Sequence, residues 1–397
     1  KQKTAYEIMP SLVGSEMCIR DSLYASPEND YPDNALRFSF FSWATLEVIK
    51  RLKLEPEIIH INDWHTGIIP FVIKNGLFNG SFKDIKIVFS IHNLMYQGIF
   101  PLSKKDELLL PENFGFSDVA FNNSINFLYL GIKFSDYIVA VSPSYAEEIL
   151  EERYGCGLHN ILREKRNVLK GILNGIDYEE WNPEKDLFIY KNYNFSDLTG
   201  KEECKKKLLE EHNLKYDPSI PLIGAVGRLT SQKGWDIISE AIEDILNLGI
   251  YFILLGVGEK RYHEIFTDIA KRYPDKTGIN IKFDNILAHK IYAGSDFFLM
   301  PSYFEPCGLG QLISFRYGTI PIVNPTGGLR DTVNEERGLL LSFYSKDALI
   351  DAIKKAKEIF EDETKFNEMR KRVMELDFSL EKQAREYKKF YEEIKSL

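Results

Sequence analysis

Several features that would each point to a function class are scarce in this sequence. Only four of 397 residues are cysteine (Cys18, Cys156, Cys204 and Cys307), and they are far apart with no Cys-x-x-Cys pair. Neither a zinc site nor a disulfide framework is signalled, and buried free thiols in a reducing cytoplasm are expected. Positive charge is also in deficit: the formal net charge is −9, which argues against binding to nucleic acid or to an anionic membrane surface. A neutral polymer would not be repelled. No apolar run approaches the ~18 residues that span a bilayer, and the longest, around Tyr251 to Leu255, has strand length. Fixed-period repeats and low-complexity tracts are absent as well.

What remains is ordinary globular composition, with 44% hydrophobic and 27% charged residues, outside the disordered and fibrous classes. At roughly 150 residues per domain the length implies two or three domains, and two are expected. Residues 1–22 stand apart. The stretch SLVGSEMCIRDS has neither the charged start nor the apolar stretch of a signal peptide and resembles a translated adapter read-through. It is read as non-native, and the fold is reasoned from Leu23 onward.

From Leu23 short runs rich in Ile, Val and Phe alternate with longer amphipathic segments, the pattern of βαβ units around parallel sheets. Strands are expected at Glu57–Ile61, Lys86–Ile91, Tyr137–Val141 and Val168–Leu173. A second series is expected at Leu222–Val226, Tyr251–Leu255, Ile279–Phe283, Phe297–Met300 and Ile320–Val323. Both series suit doubly wound α/β domains. Asn182–Asp217, rich in Lys, Glu, Asn and Tyr, reads as a surface excursion near the junction. Ser345 to Leu397 reads as helices, with Ser345 and Ser379 as N-caps and Ala348, Ile353, Ala356 and Ile359 at helical spacing. In such folds ligands sit outside the carboxyl ends of the strands, so the loops there carry the candidates.

Five segments do. HINDWHTG places Asp63 and His65 after a strand, as ligand-facing groups or as a capping Asp with a satisfied His. SIHNLMYQGIF ends a strand with His92 and Asn93, an imidazole and an amide able to grip sugar hydroxyls or to satisfy one another. GILNGID puts Asn174-Gly175 at the end of the first series, either as a turn with positive φ or as part of a site at the junction. GAVGRLTSQKGWDII leads through Gly227, Arg228 and Lys233 into a helix near Gly234. Two cations beside a helix start suit a diphosphate, although the order is not that of a Walker loop. MPSYFEPCGLGQLISFRYGTIPIVNPTGGLRDTV is the richest stretch: Glu305 falls in a strand-to-helix loop, Gly308, Leu309 and Gly310 lead the next helix, and Gly327-Gly328 repeat the arrangement one unit later. Bare amides with a carboxylate fit phosphate and sugar hydroxyls; turn glycines are the plainer alternative.

In this order, with YPDNALRF upstream and LAHKIYAGSD before Glu305, the segments resemble the bacterial glycogen synthases and plant starch synthases over roughly residues 23–397. The resemblance implies a GT-B architecture of two Rossmann-like domains with the active site in the cleft between them. Residues 23–173 would form the first domain, completed by a returning helix at 379–397, and 174–378 the nucleotide-sugar domain. It implies retaining transfer of glucose from ADP-glucose, a substrate, to the non-reducing end of an α-1,4-glucan, with no metal or cofactor. His92 would hold the donor glucose, and Asp63 matches an aspartate important for activity. Arg228 and Lys233 would neutralise the diphosphate, Glu305 would contact the glucosyl unit, and Asn174 the sugar. Phe283 stands where the family sets an aromatic against adenine, or is core. Cys307, Gly308, Leu309, Gly310, Gly327 and Gly328 belong to the substrate loops.

One departure is plain: the family's Lys-x-Gly-Gly-Leu loop has no counterpart, since Gly327-Gly328-Leu329 follows Pro325-Thr326. The chain is accordingly read as lacking the family's N-terminal portion. Another retaining transferase of the same plan, such as a sucrose-synthase-like or UDP-sugar enzyme, or an inert glucan-binding fragment, is the alternative.

Overall fold

The computed structural model describes residues 31–78, 82, 84–111 and 119–396; the reading of residues 1–22 and Cys18 lies outside them. The chain divides into two compact units. One holds the chain up to Val141 with Ala146–Gly171 and the stretch from Tyr391; the other holds Ser142–Tyr145 and Ile172–Phe390. The division therefore falls after Gly171 and again inside the last helix, against expected positions after residues 173 and 378.

The first unit contains β1 (Ile58–Asn62), β2 (Lys86–Ile91), β3 (Ile99–Pro101), β4 (Ala120–Phe121), β5 (Ser124–Asn126), β6 (Tyr137–Ala140) and β7 (Leu169–Gly171). Its main sheet is parallel in the order β1-β2-β6-β7, and β3, β5 and β4 form a small antiparallel sheet. Strand β2 is buried from Ile87 to Ile91, as expected of a parallel strand covered on both faces. The helices Asn34–Arg51 (α1), Ile68–Lys74 (α2) and Phe127–Phe134 (α3) belong to this unit. Asn126 caps α3 by accepting from the Tyr129 amide.

The second unit carries β8 (Leu222–Val226), β9 (Tyr251–Leu255), β10 (Thr277–Asn280), β11 (Phe297–Met300), β12 (Ile320–Val323) and β13 (Leu339–Leu340). They form one sheet in the order β10-β9-β8-β11-β12-β13, parallel throughout. Strand order reverses between β8 and β11, the doubly wound switch point. The helix Trp235–Asn247 (α5) buries Ile237, Ile238, Ala241, Ile242 and Ile245, spaced at helical period, and each buried aliphatic side chain contributes roughly 1.5–3 kcal/mol. Ser345 caps the helix Lys346–Glu361 by accepting from the Ala348 amide. Ser379 does the same for Lys382 at the head of the last helix, Leu380–Lys395.

Three expectations are corrected. Asn182–Asp217 is no surface excursion: it contains the helix Thr199–Glu211 (α4), which buries Lys201, Cys204, Lys205, Leu208 and Leu209. The lysines hid the pattern, because a polar letter at a core position breaks the apolar period. The third strand of the second series ends at Asn280, short of Phe283. Asp284 caps the helix Asn285–Gly294, so the chain has left the sheet by then. Cys156 is exposed while Cys204 and Cys307 are buried, the first contrary to expectation; Cys156 sits at φ +47° in a loop. Among the described residues no helix is long and apolar enough to cross a membrane.

Candidate active site

The switch point assembles three expected residues in the second unit. Arg228 and Lys233 lie in the loop after β8, and Glu305 in the loop after β11. Lys233 Nζ donates to Glu305 Oε2 at 2.6 Å, and Ser302 Oγ donates to the same oxygen at 2.9 Å. Glu305 is 5% exposed, so these donors replace the water that a buried carboxylate loses. Arg228 is exposed.

Backbone contacts lock the two loops together. Tyr303 N–H donates to Gln232 O at 3.0 Å, and Gln232 Nε2 donates to Phe304 O at 3.1 Å. Gly234, at φ +82°, lies so close to Pro301 that a Cβ there would stand 2.3 Å from its carbonyl oxygen. No other residue satisfies both conditions. Asn324 Nδ2 holds Ser302 O at 2.9 Å, and Ser142 Oγ donates to Pro306 O at 2.6 Å.

One of the loop glycines, Gly328, departs from the bare-amide expectation. Gly327, at φ +45°, would place a Cβ 2.0 Å from Glu305 O, and the Gly328 amide donates to Glu305 O at 3.1 Å. Both are buried. The Gly328 amide is therefore not bare for a ligand: it supports the Glu305 loop. Gly308 is buried at φ +76°, Leu309 is 47% exposed and Gly310 half-buried.

Asn174 and Gly175 do not form the positive-φ turn; Gly175 is not among the residues with positive φ. Asn174 Oδ1 accepts from Gln383 Nε2 at 3.0 Å, and Gly175 N–H donates to Gln383 Oε1 at 3.1 Å. A Cβ on Gly175 would meet Ser379 O at 2.4 Å, so this glycine answers a close backbone approach. The Asn174 amide also hydrogen-bonds Cys307, whose thiol burial pushes up to about 12. That thiol is protonated and inert at neutral pH. Phe283 is 88% exposed, which removes the core alternative.

In the first unit Asp63 and His92 meet at the ends of β1 and β2. The His92 amide donates to Asp63 Oδ1 at 2.8 Å, and His92 Nε2 lies 2.9 Å from Asn62 Oδ1. Asp63 adopts φ +53°, a costly conformation for a non-glycine residue that persists only where surroundings over-determine it. Burial raises its carboxyl pKa, against the opposing charge of His92 and the amides of His92 and Asn93. His65 packs against Trp64 in a tilted ring contact with centroids 4.1 Å apart, and burial lowers its pKa to about 4. His60 bridges Tyr391 Oη at 2.6 Å and Ser90 Oγ at 2.7 Å and is likewise held down at about 4 by burial. Among the described residues no group of three or more His, Cys, Asp or Glu side chains could hold a metal ion.

Sequence reasoning missed Ser302, Asn324, Gln232 and Asn62. All four lie inside the quoted segments, Asn62 beside Asp63, Gln232 beside Lys233, and Ser302 and Asn324 in the stretch around Glu305, so their position in those loops was the available signal.

Two parallel-sheet units, one with a cation–carboxylate array at its switch point, define the class. The chain is a glycosyltransferase of the GT-B fold: residues 9–164 match the family described as "Starch synthase catalytic domain" and residues 206–373 "Glycosyl transferases group 1". The solved catalytic domain of starch synthase IV from Arabidopsis thaliana, bound to ADP and acarbose, superposes with a TM-score of 0.85. It is 33% identical and is matched over 94% of this chain and 79% of its own. A sucrose-phosphate synthase from Thermosynechococcus elongatus, 17% identical with a TM-score of 0.58 over 94% of this chain and 82% of its own, shares the fold alone. The glycogen synthase of Alkaliphilus metalliredigens is 41% identical across 91% of this chain and 78% of its own length. That of Clostridium botulinum is 44% identical over the same shares. The chain belongs to the glycogen synthase family.

Proposed function

We propose that this chain transfers glucose, with retained configuration, from ADP-glucose to the non-reducing end of an α-1,4-glucan in the cytoplasm. The observation that supports this most is the Lys233–Glu305–Ser302 array at the β8/β11 switch point. Breaking the sugar–phosphate bond places negative charge on the diphosphate. Cations fixed beforehand at Arg228 and Lys233 act chiefly on that developing charge. Lys233 has three N–H donors, one of them engaged by Glu305, which leaves donor capacity for a phosphate oxygen. Glu305, held by two donors on one oxygen, keeps its other oxygen for the glucosyl unit. It would stabilise the positive charge that grows on the sugar ring.

His92 and Asp63 take the roles of polar contacts to sugar hydroxyls, Asn174 a further one, and exposed Phe283 that of a surface for the base. The reading requires no metal or cofactor, since the cations are side chains. With no second carboxylate assigned as a nucleophile opposite Glu305, front-face displacement suits the site better than a paired-carboxylate route. The leaving phosphate then takes the acceptor hydroxyl's proton. The test is incorporation of labelled glucose into glycogen from ADP-glucose and from UDP-glucose. Preference for ADP-glucose is expected; turnover only with UDP-glucose would transfer the chain to another donor class, and incorporation from neither would remove the assignment.

A further inference from the structure

The main sheet of the first unit repeats one side-chain contact along one face, and the repeat changes character where that face reaches solvent. Parallel pairing sets His60 opposite Val88 and Asn62 opposite Ser90, and side chains two residues apart on a strand share a face. His60 reaches diagonally to Ser90, Nε2 to Oγ at 2.7 Å. One step further Asn62 reaches His92 on the same diagonal, Oδ1 to Nε2 at 2.9 Å. Ser90 is fully buried, whereas Asn62 and His92 are exposed. The inner contact therefore serves the fold, and the outer one stands where a ligand can meet the ring.

Both partners of the outer contact are held in place. The Asn62 N–H donates to Thr66 Oγ1 at 3.0 Å, and that hydroxyl donates back to Asn62 O at 2.9 Å. The His92 amide donates to Asp63 Oδ1 at 2.8 Å. A carboxamide oxygen has no hydrogen to give, so the bond at Nε2 requires the imidazole proton there. In the neutral ring the other nitrogen, Nδ1, then carries a lone pair and can only accept. The titratable groups around the ring are His60 on β1 and Asp63 and His65 in the loop after it. Burial first and the charge of His92 second hold His60 and His65 at about 4, so both are neutral near pH 7, and the Asp63 carboxyl meets His92 at its main-chain amide.

We infer that Asn62 is a positioning residue for glucosyl transfer: it holds His92 in the Nε2–H form, so that Nδ1 accepts from a hydroxyl of the donor sugar. This rests on the reading of His92 as a sugar contact and names the form in which the ring makes that contact. The form matters to the reaction step. A sugar ring that loses its phosphate gains positive charge, and a lone pair aimed at one of its hydroxyls turns the negative end of the imidazole dipole toward that charge. A donating N–H, or an imidazolium, would oppose it.

Nitrogen NMR spectra of the full chain labelled at histidine report which ring nitrogen is protonated, with His92 assigned by the signal lost in His92→Gln. Nε2–H is expected in wild type, and a mixture of the two neutral forms in Asn62→Ala. Glucose incorporation from ADP-glucose across a range of pH is the second readout. Asn62→Ala should lower kcat about tenfold, the scale of one lost hydrogen bond, with little change in KM, since the contact acts on charge that appears in the transition state. Asn62→Asp keeps an acceptor in the same place and should recover most of kcat above about pH 8. Its activity should fall off about one pH unit higher than that of wild type, because a carboxylate favours the imidazolium. A wild-type ring protonated on Nδ1 overturns the assignment, as does Asn62→Asp no more active than Asn62→Ala at any pH. If wild type transfers no glucose while its Nε2–H signal is present and is lost in Asn62→Ala, the hold of Asn62 on the ring stands and the sugar-contact reading of His92 falls.

Discussion

The two edges of the six-stranded sheet both hold charged side chains, and they use them in opposite ways. At the amino edge Lys205 Nζ sits 2.8 Å from Asp296, with side chains 2% and 1% exposed, and Arg370 binds the same carboxylate. Burial alone would raise the Asp296 carboxyl, but the two cations outweigh it and hold it below the usual range. Asp296 also accepts from the Leu222 amide at 2.8 Å, so the cluster joins the starts of β8 and β11. Nearby Lys201 finds only neutral oxygens, those of Ala293, Tyr317 and Thr319, and burial drags its pKa to about 7. At the carboxyl edge Lys233 and Glu305 are also paired, but Lys233 remains 22% exposed and Arg228 is exposed. Charge sealed within the fold serves its integrity; charge left within reach of solvent can serve a ligand.

The largest effect should come from breaking the amino edge. Asp296→Ala strands two buried cations, and removal of one partner from such a group costs about 3–5 kcal/mol. Denaturant unfolding should show that loss, and a change below about 1 kcal/mol would mean the buried ion group is not what secures the strand starts. At the other edge the same kind of deletion should spare stability and harm chemistry. Glu305→Ala should lower glucose incorporation at least ~100-fold, with its unfolding midpoint near wild type; near-normal turnover would remove Glu305 from the reaction.

A smaller effect separates buried charge from buried neutrality. His60 stays neutral in the folded state because burial lowers its pKa from 6.5 to about 4. Above pH 6.5 neither state binds the proton and stability is full; as pH falls toward 4 the unfolded chain takes it up first, so stability drops. The loss is about 3 kcal/mol. His60→Gln should flatten the fall between pH 6.5 and 4 in unfolding measurements, whereas an unchanged slope would place the pH dependence elsewhere. Smallest of all, Cys307→Ser should change turnover no more than about twofold, because a thiol pushed to about 12 carries no charge to the reaction. A large loss there would blur the distinction between the loop's chemistry and its packing.

Strand positions were legible wherever β-branched and aromatic residues ran four to six long between loops. Lys86–Ile91, Leu222–Val226, Tyr251–Leu255, Phe297–Met300 and Ile320–Val323 are strands at the expected bounds. The pattern failed at Phe283, which lies beyond the strand's end at Asn280 and just before the cap Asp284 of the next helix, and at α4, where core positions carry lysine.

By itself the sequence determined the parallel α/β plan, the loops in which chemistry would be found and the family, because backbone propensity and short motifs are local properties of the chain. Tertiary structure alone decided that Lys233 would be paired with Glu305, 72 residues away, and that Gly327 and Gly328 would brace the Glu305 loop. It also decided that Lys205 could be buried against Asp296. The reason is physical: whether a charge or a bare amide is spent on the fold or left for a ligand depends on which partner the chain brings within about 3 Å, and no local stretch of sequence contains that partner.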